Sequence, residues 1–314
     1  MIGLAIHGGA GTLPPSAMDG PADRAHRAGL ARALAAGFRV LAAGGPALDA
    51  VVAAIHEMED DPLFNAGHGA VLTADGTIEH DACLMNGADR RTGAVAGICG
   101  PRHPIDAARA VMEHSPHILL AGRGAEAWLQ GRVPFEHPAY FVTERRQRAL
   151  AAVLAAQVSK DGGPIDDADR HGTVGAVARD ASGGLAAGTS TGGMTGKLAG
   201  RIGDAPIAGA GTWADRTVAI SCTGHGESFI RAGGAHAIAL HMRLGGSTLA
   251  EAASIVLADI TELGGDGGLV AIDAAGHVKL PFTSRGMYRG RVGPDGVCMT
   301  GIYHDPLAPT PAPA

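Results

Sequence analysis

The sequence predicts an α+β layered body in which one chain supplies two halves of a shared core. Three observations lead there. The 314 residues are 46% hydrophobic and only 18% charged, enough apolar material for a large core. Strand-length runs and helix-length amphipathic runs occur in both halves, and neither half covers the apolar faces of its own sheets and helices. Between the halves, residues 159–172 are polar, with Gly162-Gly163-Pro164 and several Asp, and read as a flexible linker.

The elements follow in order. Residues 2–6 form a first strand that ends at His7-Gly8-Gly9-Ala10-Gly11. A helix over 22–43 stops at Gly44-Gly45. A second begins at Pro46, a favourable first helical position, with Leu48, Val51, Val52 and Ile55 on one face, and Pro62 ends it. Strand-sized pieces at 69–73, 77–85 and 93–99 are separated by turn signals, and helices cover 105–114, 124–130 and 144–158. Past Thr173, strands 173–180 and 185–191 flank the turn Ala181-Ser182-Gly183-Gly184 as a hairpin. After a Gly-rich loop come a strand at 217–223, a helix over 227–244, and a helix over 249–263 opened by the capping box Thr248 to Glu251. Strands 269–273 and 277–281 close the fold, and the Pro-rich 306–314 reads as a disordered tail.

Composition excludes several classes. Aromatics are 4% and glycine reaches 49 residues, so the core is built from Ala, Val, Leu and Ile with close backbone approaches. The charge of −6 carries no basic block, which argues against a nucleic-acid partner. The opening MIGLAIHGGAG lacks the basic start and long apolar run of a signal peptide, and no run nears the ~18 residues of a membrane span. Cys83, Cys99, Cys222 and Cys298 lie far apart with no CxxC pair, as expected of reduced thiols in a cytoplasmic protein.

Three motif matches fail on context. His7-Gly8-Gly9 with Gly188-Thr189-Ser190-Thr191-Gly192 mimics an α/β-hydrolase, but that chemistry needs Ser190 on a strand-to-helix elbow. Here the strand runs into GGMTGKLAGRIG, too Gly-rich to open a helix. Gly196-Lys197 is no P-loop, because residue 191 is Thr and Leu198 replaces the hydroxyl residue. The fifteen His show no HxxxH and the Cys no paired spacing, which argues against a catalytic zinc.

Gly172-Thr173, at the join of linker and strand, carries a chemistry of its own. Acyl transfer needs a nucleophile and a base. A threonine at a free chain start has both, since its α-amine has a reference pKa of ~7.7–8.0. Its β-branch restricts χ1 and holds the hydroxyl in place. Such a chain start requires scission after Gly172, whose backbone tolerates strained geometry. Taken alone, Gly-Thr at a strand start is also ordinary structure.

The segments 7-HGGAGT-12, 60-DDPLFNAGHGAV-71, 172-GTVGAVARD-180, 188-GTSTGGMTGKLAGRIGDAPIAGAGTWAD-215, 221-SCTGHGE-227 and 281-PFTSRGMYRG-290 resemble, in order, the plant-type asparaginase/isoaspartyl peptidase family of N-terminal nucleophile (Ntn) hydrolases. The resemblance covers about residues 1–305. It implies an αββα four-layer sandwich, two antiparallel sheets between helical layers. It also implies autocleavage into an α subunit (1–172) and a β subunit (173–314) that remain one structural domain, and a dimer of such pairs. The implied reaction is hydrolysis of β-aspartyl amide bonds in isoaspartyl dipeptides and L-asparagine, releasing L-aspartate.

The family's roles fall on matching residues. Thr173 is the nucleophile and Thr191 stands beside it. Thr223 and the Gly224 amide form the oxyanion hole. Arg201 takes the substrate α-carboxylate bidentately and Asp204 its α-ammonium. Asn65 orders the site around the scissile peptide. Main-chain oxygens of Met58, Glu59, Asp61, Phe64, Ala66 and His68 wrap a structural Na⁺, and catalysis needs no cofactor. His225 and His68 depart from common family residues, which leaves leaving-group preference and the ion loop open. Two other readings remain: a glycosylasparaginase-like hydrolase, and a binding homologue that does not cleave.

Overall fold

The structure, a computed structural model, describes residues 1–11, 18, 20–158 and 172–311. Of the expected linker it describes Gly172 alone, so the linker's behaviour lies outside the described residues.

Strand β1 (Gly3–Ala10) is buried along its whole length. Helices α1 (Gly20–Ala42) and α2 (Ala47–Asp60) follow, with Pro46 as the N-cap of α2 rather than its first residue. The 69–73 segment is no strand: a 3₁₀ turn, Gly67–Gly69, leads to a single bridge between Leu72 and Ile78. Next come β2 (His80–Asn86), β3 (Thr92–Ile98), α3 (Pro104–His114), β4 (Leu119–Ala121), α4 (Gly122–Leu129), α5 (Pro138–Phe141) and α6 (Glu144–Val158). The second half runs β5 (Val174–Arg179), β6 (Leu185–Thr191), β7 (Thr212–Ala214) and β8 (Val218–Gly224). It continues through α7 (Gly226–Ala232), α8 (Gly234–Gly245), α9 (Leu249–Glu262), β9 (Gly267–Asp273), β10 (Val278–Lys279), β11 (Met287–Val292), β12 (Cys298–Gly301) and β13 (Ala308–Pro309).

These strands make a nine-stranded sheet, ordered β13-β12-β11-β1-β5-β6-β2-β3-β4, and a four-stranded sheet, β10-β9-β8-β7. Pairing is antiparallel apart from the short β3–β4 edge. Leu30, Leu34, Val51, Ile55 and Met58 of α1 and α2 pack on Leu4, Ile6, Leu84, Val95 and Val174 of the large sheet. Between the sheets, Ala5, Met85, Val177 and Ala187 meet Ala219, Val270 and Ile272. Beyond the small sheet, Ile220, Cys222 and Leu269 pack against Phe229, Ile238, Val256 and Ile260 of α7, α8 and α9. The result is the expected αββα sandwich. The low aromatic content has its reason here, because Ala-rich inner faces let the two sheets approach closely.

Three further expectations need correction. The helix expected over 227–244 is two helices, because Gly233 takes a left-handed φ of 58° and the axis turns there. The end of the chain is not confined to β9 and β10, since β11 returns to pair with β1 and carries β12 on its outer side. The Pro-rich segment expected to be a disordered tail adds a short edge strand on β12, with Thr300 Oγ1 and Thr310 Oγ1 hydrogen-bonded at 2.7 Å. Proline is tolerated there because an edge strand's outward N–H has no ladder partner.

Candidate active site

The β5–β6 hairpin sets the centre of the site. Val174 faces Ser190 in the register, so the next residues outward on the two strands are Thr173 and Thr191. Thr173 Oγ1 lies 3.2 Å from Thr191 Oγ1, and Thr173 is 7% exposed. The Gly172 carbonyl oxygen accepts from three donors: Thr173 Oγ1 at 2.7 Å, Asn65 Nδ2 at 2.8 Å and Thr191 Oγ1 at 2.9 Å. Asn65 is itself fixed, since its Oδ1 accepts from Val71 N at 2.9 Å and its Nδ2 also donates to Gly193 O at 2.8 Å.

A hydroxyl has one proton, and this limits the arrangement. Thr191 spends its proton on Gly172 O while its oxygen accepts from Gly193 N at 2.9 Å. The Thr173 proton goes either to Gly172 O or to Thr191 Oγ1. In the second state a lone pair of Thr173 is free to turn on the Gly172 carbonyl carbon. Residue 172 must also be glycine for space: a Cβ there would lie 2.8 Å from Asn65 Cβ. Gly9, at φ +115°, presses from the other side, where its Cβ would lie 3.0 Å from Gly172 Cα.

Behind Thr173 runs a buried polar line that sequence reasoning missed. His7 Nδ1 donates to Thr173 O at 2.9 Å, which fixes the tautomer and makes Nε2 the acceptor from Ser221 Oγ at 2.9 Å. Ser221 Oγ is 2.7 Å from Thr189 Oγ1, to which Thr212 Oγ1 donates at 2.6 Å. Burial pushes the His7 pKa down to about 3, so the ring stays neutral and the line keeps its direction.

The clamp residues meet in one narrow cleft, lined by Gly172, Thr173, Thr191, Arg201, Asp204 and Gly224 among others. Arg201 turns its fork on Glu227, with Nε–Oε1 2.9 Å and Nη2–Oε2 2.8 Å. Those hydrogen bonds hold the Glu227 carboxyl low, at about 2. Asp204 is buried, and burial raises its carboxyl to about 7; its Oδ2 has no hydrogen-bond partner among the described residues. Gly224 has φ +137°, and a side chain on it would collide with Asp266 and Gly267 where the neighbouring β9 begins. Thr223 is wholly buried one residue away, its Oγ1 accepting from Ala10 N at 2.9 Å, so its own proton remains to be given. His225 lies at the start of α7, Nδ1 2.9 Å from Ser228 Oγ and Nε2 3.6 Å from Glu227 Oε2. Ser190 of the rejected hydrolase motif sits within β6, not on an elbow, and donates to Glu59 Oε1 at 2.6 Å.

A family model described as asparaginase matches residues 1–302 of the chain. The chain belongs to the asparaginase family. It is 47% identical over 308 residues to the isoaspartyl peptidase of Salmonella typhimurium, covering 96% of this chain and 98% of that protein. It is 46% identical to the isoaspartyl peptidase of Escherichia coli, covering 96% of each. The isoaspartyl peptidase/L-asparaginase of Rattus norvegicus is 42% identical over 262 residues, 82% of this chain and 78% of that one.

In this asparaginase-family chain the loop expected to hold an ion folds back over the end of α2. Side chains on Gly67 and Gly69 would run into the Glu59 and Phe64 carbonyls, so both oxygens border the inside of the loop. Asp61 O and Ala66 O each accept one amide proton, from Phe64 N and Gly69 N at 3.1 Å, and keep a second lone pair. The His68 ring packs edge-on against Tyr140, centroids 4.6 Å apart. Neutral main-chain oxygens of this kind suit a hard cation. Among the described residues, no helix is long and apolar enough to cross a membrane.

Proposed function

We propose that the chain is an autoprocessed threonine hydrolase that cleaves β-aspartyl amide bonds, in isoaspartyl dipeptides and L-asparagine, and releases L-aspartate. One observation carries the reading: the Thr173 hydroxyl, the Asn65 amide and the Thr191 hydroxyl all converge on the Gly172 carbonyl, in a cleft that Arg201 and Asp204 also line.

Processing comes first. With its proton turned to Thr191, Thr173 Oγ adds to the Gly172 carbonyl carbon. Asn65 Nδ2 and Thr191 Oγ1 already point at the oxygen where charge grows. The C–N bond then breaks, the amine of Thr173 takes the proton, and water hydrolyses the Gly172 ester. The freed amine and hydroxyl now belong to one residue, which supplies base and nucleophile for substrate.

Substrate is held by its aspartyl end. Asp204, ionised by the incoming α-ammonium, takes that group, and Arg201 offers the α-carboxylate the guanidinium edge that Glu227 leaves free. Thr173 Oγ adds to the side-chain carbonyl carbon, the Thr223 hydroxyl and Gly224 amide steady the oxyanion, and the leaving amine departs with the amine's proton. Water then releases aspartate and restores Thr173. A Na⁺ in the loop of Met58, Glu59, Asp61, Phe64, Ala66 and His68 would hold Asn65's loop in shape without entering the chemistry. The processed α and β subunits assemble as a dimer of pairs that acts in the cytoplasm.

Intact mass and a denaturing gel test the processing: fragments ending at Gly172 and starting at Thr173, absent in Thr173→Ala. Aspartate release from a β-aspartyl dipeptide, L-asparagine and N4-glycosylated asparagine tests the substrate class. Turnover of the glycosylated compound alone would make the chain glycosylasparaginase-like. Aspartate binding with an uncut chain and no turnover would leave a binding homologue.

A further inference from the structure

On the outer helical layer, His56 and Asp60 stand one turn apart on α2, opposite His103, which caps α3, and Asp106 in the first turn of α3. One ligand atom each from His56, His103 and Asp106 lies within 4.8 Å of the others. His56 Nε2 is 2.8 Å from Asp106 Oδ1 and His103 Nδ1 is 3.6 Å from Asp106 Oδ2. The two imidazole rings stack, centroids 4.2 Å apart. Ligands at ~2.0–2.1 Å from a tetrahedral ion sit about 3.3 Å from one another, so modest side-chain shifts would close this group on one ion.

We propose that His56, His103 and Asp106 bind one borderline divalent cation of the zinc class, which clips the end of α2 to the start of α3. Two imidazoles and one carboxylate are the donor set such an ion prefers over Mg²⁺ or Ca²⁺. Hydrogen bonding alone leaves the group unsettled. His103 Nε2 comes within 3.1 Å of Asp60 Oδ1, an ion-pair contact that misses good hydrogen-bond geometry among the described residues. Arg102 Nη2 also reaches Asp60 Oδ1, at 3.1 Å, so Asp60 stays engaged and the fourth ligand position falls to water. Arg102 and the amino end of α3 oppose a cation, while Asp106, Asp60 and the buried Glu59 carboxyl draw it in.

Glu59 links this group inward. Its Oε1 accepts from Ile105 N at 3.0 Å, between His103 and Asp106, and from Ser190 Oγ of β6; its Oε2 is buried without a partner among the described residues. The ion would thus brace the outer end of a contact that reaches the strand carrying Thr191. Ser190 and Thr191 face opposite sides of that strand, so the ion has no place in the chemistry. The sequence could not announce it, since the ligands come from two helices and form no HxxxH.

The test uses the full processed protein stripped with chelator, titrated calorimetrically with Zn²⁺ and, in parallel, with Co²⁺ read by visible absorption. The expected result is one ion per chain, a tetrahedral Co²⁺ band, and a thermal midpoint that rises with Zn²⁺. His56→Ala, His103→Ala and the near-isosteric Asp106→Asn should each weaken binding by about 10-fold or more, with unchanged circular dichroism in the absence of metal. Binding that survives all three substitutions but disappears in Thr173→Ala would place the ion at the nucleophile and overturn the proposal. So would the absence of any saturable binding to the wild-type chain.

Discussion

Replacing Asp204 by Asn separates what this carboxylate costs the fold from what it does for substrate. Asp204 is 5% exposed, and Arg201, its nearest cation, spends its fork on Glu227. Burial raises the carboxyl from an ordinary 3.8 to about 7, a rise of about three pH units. Because the folded chain holds this proton more tightly than the unfolded one, the cost is absent below pH 4. It grows between 4 and 7 and is complete above 7. At 1.36 kcal/mol per pH unit the full cost is on the order of 4 kcal/mol. An amide carries no charge at any pH, so the Asp204→Asn chain escapes it. The quantity to measure is the stability difference between the two chains at pH 8 minus that at pH 4, in which the fixed effect of exchanging oxygen for an amide cancels. Guanidinium unfolding in a Thr173→Ala background keeps the chain single and the equilibrium unimolecular. The Asp204→Asn chain should gain about 4 kcal/mol relative to its parent from pH 4 to pH 8. A difference that stays flat within about 1 kcal/mol would refute the argument, because Asp204 would then be ionised at little cost. In the processed enzyme the same substitution should lower kcat/KM at least about 30-fold, as expected for truncating one side of a buried charge pair.

Three further outcomes follow from the geometry. Gly172→Ala puts a Cβ 2.8 Å from Asn65 Cβ and pushes the Asn65 amide off the scissile carbonyl; a gel time course should show processing slowed about 10²-fold, the usual effect of losing one oxyanion donor. Glu227→Gln keeps the shape but loosens the Arg201 fork. Since Glu227 is 47% exposed, KM for aspartyl substrates should rise only several-fold, by about 1 kcal/mol or less, with kcat near the parent's. His7→Phe strands the Thr173 carbonyl and the Ser221 hydroxyl in the core, and denaturation of the uncut chain should show a loss of about 2–5 kcal/mol.

Much of the centre of the site was legible in the chain. The expected turn at 181–184 brings residues 173 and 191 to within one position of facing each other; the pairing of Arg179 with Leu185, centred on Ser182, supplies the last step that sets the two threonines side by side. The Gly172 requirement was legible only in part: glycine's freedom was foreseen, but the contact with Asn65 Cβ depends on a loop more than a hundred residues earlier. Glu227 was read past, because an exposed Glu opening a helix looks like a favourable charge at a positive helix end. Nothing local says that Arg201 sits across from it. The break at Gly233 was missed for a similar reason, since a glycine within a helical pattern is tolerated as often as it turns the chain. Strands β11 to β13 escaped notice because their apolar alternation is interrupted by Gly, Pro and Arg, and pairing with β1 overrides weak local preference.

His7 shows why composition and mechanism belong together here. Read alone, His7-Gly8-Gly9 imitated a hydrolase loop; in place, it is the inner end of a line of side chains from both sheets. That line exists only because the facing strands carry small residues. Thr189 and Ser221 come from different sheets, yet their hydroxyls lie 2.7 Å apart, a distance that an aromatic interlayer would prevent. Gly175 makes the same room on β5, where any Cβ would collide with Ser221 Oγ and His7 Nε2. The carbonyl of Thr173 is therefore anchored to the middle of the sandwich rather than to a surface loop. If the chain is cut as proposed, the new chain start keeps that anchor, the β5 ladder and the Thr191 contact, none of which involves Gly172. A nucleophile losing its own upstream peptide would need its position set from the core side, which the small, glycine-rich interlayer does for Thr173.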